Sequence, residues 1–153
     1  MKTITINAPE GKVIGEEKTK KGMVITFHDV PKPITERVKT LEDALNEASE
    51  EVRREYGKWI NDGMPEHLKA YLKLVLITSV LNEGWEADYK NKSQYKYWLW
   101  WHYNSAGLWY ALFCASSGVA NADVGARLCF KSEALARHAA EHFVDLYQKY
   151  IDK

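Results

Sequence analysis

Near the C-terminus, His138, Glu141 and His142 fall in the spacing H-x-x-E-H. On a helix, that spacing sets two imidazoles one turn apart, where they can share a Zn2+ while the carboxylate acts as general base. The chemistry would be metal-assisted hydrolysis. The neighbouring residues argue against it. At about 100° per residue, Ala136, Ala139, Ala140, Phe143, Tyr147 and Tyr150 gather on one face. His138 projects nearly opposite, and Glu141 and His142 also lie outside the apolar face, so the trio is expected on solvent. A site of this kind needs another ligand downstream, and few residues follow His142. Upstream ligands such as His102 or Glu86 are not supported by any spacing. The three residues are rejected as a metal site, and no metal is expected.

Nucleophiles fare no better. Cys114 or Cys129 could pair with His102 if the strands that carry them are neighbours. Cysteines in apolar strands are ordinarily inert core residues, and without an export signal they are expected to stay reduced. Gly11, Gly15 and Gly22 are isolated and precede no helix, so they make no phosphate loop. Ser116, Ser117 and Gly118 read as a turn. The carboxylates from Glu42 to Glu55 read as a solvated helix face. No catalytic residue is assigned, and no cofactor is expected.

The elements that would position these groups follow from periodicity. Residues 3–7 alternate Thr and Ile, as a half-buried strand does. Val13 and Ile14 form a short strand, residues 16–22 a charged hairpin loop, and residues 23–28 a strand returning on the earlier segment. Thr40 and Asp43 have the spacing of a capping box for a helix running to Gly57. Pro65 opens a second helix, apolar over much of its circumference, that Gly84 ends. Strands follow at 94–102, 108–115 and 124–130, and Ser132 caps a final helix to about Tyr150. The expected architecture is one α+β domain over 1–153. It has an N-terminal hairpin region (1–30), two helices (40–84), an aromatic-rich antiparallel meander of three strands (94–130) and a C-terminal helix (132–150). About three helices pack on the sheet.

The stretch from Tyr95 to Tyr103 is the unusual feature. Successive strand side chains point to opposite faces. Tyr95, Tyr97, Leu99, Trp101 and Tyr103 therefore share one face, and Lys96, Trp98, Trp100 and His102 the other. Such rings are ordinary cross-strand core pairs, each contributing about 0.2–1 kcal/mol beyond burial. The alternative is that some stay exposed and bind. Trp98, Trp100 and Trp109 are the candidate binding residues, with Lys96 and His102 beside them. From residue 90 to 131 five basic residues stand against Asp123 alone, whereas from 36 to 66 nine acids stand against five bases. Cations near aromatic platforms suit single-stranded nucleic acid, although no RNA-binding signature is present.

Hydrophobic residues make up 46% and charged residues 27%, the balance of a folded chain. Net charge is zero, so no overall field draws the protein to nucleic acid or a membrane. The first residues lack an apolar stretch, and residues 71–81 are too short to span a bilayer. A cytoplasmic protein with no membrane partner is expected. Three segments, 36–44, 81–88 and 124–131, resemble small uncharacterised proteins of gut Bacteroidales and their phages and mobile elements. The resemblance implies a phage-related origin but no activity. The expectation is a non-enzymatic interaction protein using an aromatic sheet face, with a protein partner or self-association. A small hydrolase built on His102 and single-stranded nucleic-acid binding are the alternatives.

Overall fold

The computed structural model describes residues 4–61, 63–104, 107–115 and 127–152, with the backbone alone at Asn104 and 107–115. The chain divides into two compact units, Met1–Pro33 and Ile34–Lys153.

The first unit is a hairpin of β1 (Lys12–Thr19) and β2 (Gly22–Asp29), antiparallel, with Lys12 opposite Asp29 and Thr19 opposite Gly22. β1 is longer than periodicity implied. The charged residues expected in a loop continue the strand, because both faces of this ribbon are open and charge costs little there. The turn shrinks to Lys20 and Lys21, and Gly22 takes a φ of +147° that a side chain would resist. The Thr19 hydroxyl donates to the Gly22 carbonyl at 3.0 Å and accepts from the Lys21 N–H at 3.3 Å. The strand expected at 3–7 is not found: residues 4–9 have no regular structure.

The second unit begins with α1 (Ile34–Arg37) and α2 (Leu41–Glu47). The capping box at α2 is complete. The Thr40 hydroxyl accepts from the Asp43 N–H at 3.1 Å, and the Asp43 carboxylate accepts from the N–H groups of Thr40 and Lys39 at 2.9 and 3.0 Å. Those bonds hold the Asp43 carboxyl below its ordinary range, the Lys39 N–H contributing most. The single helix expected to run to Gly57 is two. Ala48 leaves the helical region (ψ 140°), and Ser49 caps a new helix, α3 (Glu50–Trp59), its hydroxyl accepting from the Val52 N–H at 3.3 Å.

α4 (Glu66–Leu81) starts after Pro65 and is the buried helix that its composition predicts. Leu74, Ile77 and Leu81 are sealed in the core beside Val38, Phe130 and Ala136. Gly84 follows the helix with a φ of +82°, the left-handed conformation that favours glycine. β3 (Lys96–Asn104) and β4 (Gly107–Ala115) pair antiparallel, with Lys96 opposite Ala115 and His102 opposite Trp109. The unit is α+β, with a two-stranded antiparallel sheet and helices. Of the third meander strand, residues 124–126 lie outside the described residues. What is described is a single bridge, where Tyr97 and Phe130 exchange N–H to carbonyl bonds of 3.0 and 2.7 Å.

α5 (Glu133–Ile151) begins at Ser132, whose hydroxyl accepts from the Leu135 N–H at 3.4 Å. It breaks regular geometry at Phe143 (φ −125°, ψ 20°). No helix among the described residues is long and apolar enough to cross a membrane.

Candidate functional site

The middle of one side chain set of β3 packs against the helices, while Tyr103 at its end is exposed. Leu99 is buried, Tyr97 and Trp101 are half-buried, and the Trp101 ring lies 4.7 Å from that of Tyr147 on α5. The opposite set divides along the strand. Lys96 and Trp98 are buried, at 4% and 5% exposure, whereas Trp100 is 46% exposed and His102 is also exposed. The five candidates therefore do not form one open surface.

Lys96 is held inside by specific contacts. Its ammonium donates to the carbonyls of Gln94 and Asn91 at 2.9 and 3.2 Å and stands 5.5 Å from the Tyr89 ring centroid. It organises the loop before β3 and is withdrawn from any phosphate. Trp98 contributes its ring to the interior. Trp109 occupies the position opposite His102, and its side chain lies outside the described residues, as does that of Cys114.

Trp100 instead borders a cavity of about 310 Å³. Its walls come from β3 (Trp98, Leu99, Trp101) and from Leu128, with Tyr147, Tyr150 and Ile151 of α5 closing the side. The last turn of α5 is fastened to β3: the Tyr103 hydroxyl donates to the Asp152 carboxylate at 3.1 Å and accepts from the Gln148 amide at 3.3 Å. Among the described residues every wall side chain is apolar or aromatic, and no described carboxylate, imidazole or thiol lines the slot. These described walls can hold an apolar group by burial and ring contact. Tyr147 and Tyr150 were visible in the helical periodicity. Leu128 and Ile151 were not, because only the fold brings them to β3.

His138 corrects the sequence expectation. It is buried, at 8% exposure, and its Nε2 donates to the Val38 carbonyl at 2.5 Å. The helical wheel failed here because α5 is covered on two sides, by α4 and by the segment around Val38. Burial lowers the His138 pKa, and the nearby His142 lowers it further, while the Val38 carbonyl opposes both. His142 and Glu141 are exposed as expected. The two imidazoles lie 4.1 Å apart, tilted at 30°, and His142 Nδ1 donates to the His138 carbonyl at 3.0 Å. Each ring thus spends one nitrogen on a backbone carbonyl. No group of three metal-binding side chains occurs among the described residues.

Cys129 is buried, and burial pushes its thiol above the ordinary range, which disfavours the thiolate a nucleophile needs. Its neighbour Tyr89 is pushed up to about 12, chiefly by burial. Sequence reasoning missed Asn82. It is buried, and its amide donates to the Cys129 carbonyl at 2.7 Å and accepts from the Lys131 N–H at 2.9 Å. The side chain works as a strand neighbour would, tying the end of α4 to the chain entering α5. On the surface beside it, Glu83 bridges Arg37 (3.3 Å) and Lys131 (3.0 Å). Comparison with protein-family models, curated proteins and solved structures finds no match.

Proposed function

We propose that this chain is a non-catalytic interaction protein, of phage-related origin, that docks a protein partner or a second copy of itself at the slot beside Trp100. The observation that carries this reading is the half-exposed Trp100 ring beside a cavity whose described walls are apolar and aromatic. A large exposed indole next to an apolar recess is the arrangement of an interface anchor. A hydrolase would need convergent acid, base or nucleophile around its pocket, and among the described residues lining the Trp100 slot there is no carboxylate, imidazole or thiol. The nucleic-acid reading loses support from the cations: Lys96 is buried, and Lys131 is paired with Glu83.

Self-association is the simplest form of this function, because a twofold contact can hide the same ring in both copies. Sedimentation velocity at protein concentrations from about 1 to 100 μM tests it. A dimer that Trp100→Arg dissociates, with an unchanged circular dichroism spectrum, is the expected result. A dimer indifferent to that substitution places self-association elsewhere and contradicts the reading.

A further inference from the structure

A second groove, independent of the Trp100 slot, lies between α3 and α4 and has a volume of about 660 Å³. Its α3 wall is the stripe Val52, Tyr56 and Trp59, at helical spacing. α3 buries none of its residues, and Trp59 stands 63% exposed. The α4 wall is Tyr71, Leu72, Val75 and Leu76, continuing to Ser79. Over residues 71–79 that wall is roughly 12 Å long at the helical rise, or about two turns. The floor is therefore apolar and linear, the form that receives the apolar face of a third helix.

The rim selects the occupant. Glu51 and Glu55 border the groove on α3, and Glu86 lies at its end; among the described residues Arg127 is the one cation lining it. Among the described residues, none of these three carboxylates makes an ion pair. Tyr56, Tyr71 and Trp59 add ring faces on which an ammonium or guanidinium can rest. We propose that the groove docks a basic amphipathic helix of a partner protein. Its apolar residues lie between α3 and α4, and its lysines or arginines reach Glu51, Glu55 and Glu86. A second copy of this chain suits the groove less well: its amphipathic α3 carries three acids and three bases and so brings no net positive charge to an acidic rim.

The test uses the full chain and two designed helical peptides of about four turns, one of alternating Leu and Lys on an amphipathic pattern and one with Glu replacing Lys. Titration calorimetry at low salt is expected to show micromolar binding of the Lys peptide and none of the Glu peptide. Glu51→Lys with Glu55→Lys, and separately Trp59→Ala, each weaken that binding by about tenfold or more. Glu141→Lys, the same charge change on α5, leaves it intact. Circular dichroism confirms that every variant is folded. Absence of binding at about 100 μM, equal binding of both peptides, or binding unchanged by the α3 substitutions overturns the proposal. A dimer dissociated by the α3 substitutions would make the second copy the occupant and also overturn it. None of these outcomes bears on the Trp100 slot, which is tested by a different substitution.

Discussion

At the scale of single residues, burial decides what a chemically capable side chain can do. His138 is the clearest case. The motif H-x-x-E-H was legible, and so was its poor setting, but the orientation inferred from the helical wheel was wrong for His138. A wheel assumes one partner for the helix, and the Val38 carbonyl that receives His138 is one hundred positions away in the chain. The buried imidazole has a consequence for stability. Its folded pKa is lowered, so near and below the ordinary value of about 6.5 the unfolded chain takes up the proton more readily. The stabilisation by neutral His138 is fully present above that value and is lost as pH falls through it. Urea unfolding at pH 7.5 and 5.5 is expected to show a lower midpoint at the acid value, and His138→Gln a smaller difference between the two. Equal pH dependence in the variant would contradict this. Asn82 and Lys96 are the opposite lesson: neither residue type announces burial, and both are buried because their polar atoms find backbone partners.

At the scale of elements, the caps were the most readable signals. Thr40 with Asp43, and Ser132, start helices where their hydroxyls predict. Ser49 does the same, but it sits inside an apolar stripe that continues across it from α2 into α3, and periodicity alone masks the break. The residues around it form good helix on either side; the hydroxyl competing for the Val52 N–H divides them. Ser49→Ala is expected to remove about 1 kcal/mol of local stability. Because α3 buries no residue, the loss appears as faster amide hydrogen exchange through its first turn, with α4 unaffected. Unchanged protection in α3 would show that the cap contributes nothing. The β1–β2 hairpin was half legible for the opposite reason. Charged side chains usually mark loops, and on an open two-stranded ribbon they serve equally well as strand.

For the second unit as a whole, the alternation along β3 correctly separated the two faces but not their fates. Which end of the outward face is covered depends on the loop around Tyr89 and Asn91, which periodicity does not place. Five aromatic-face candidates thereby reduce to Trp100 and His102 on the surface, with Trp109 opposite His102 in the ladder. The slot itself needs β3, Leu128 and the last turns of α5 together, so no local window of sequence could have revealed it. Trp100 is the expected point of contact. The direct measurement replaces Trp100 with the photo-cross-linking residue p-benzoylphenylalanine, and in a parallel protein Glu133, which is exposed at the start of α5. Both are irradiated in expressing cells. A discrete protein adduct is expected from position 100, whether to this chain or to another, and none from position 133. No adduct at position 100, or the same adducts from both positions, would contradict it.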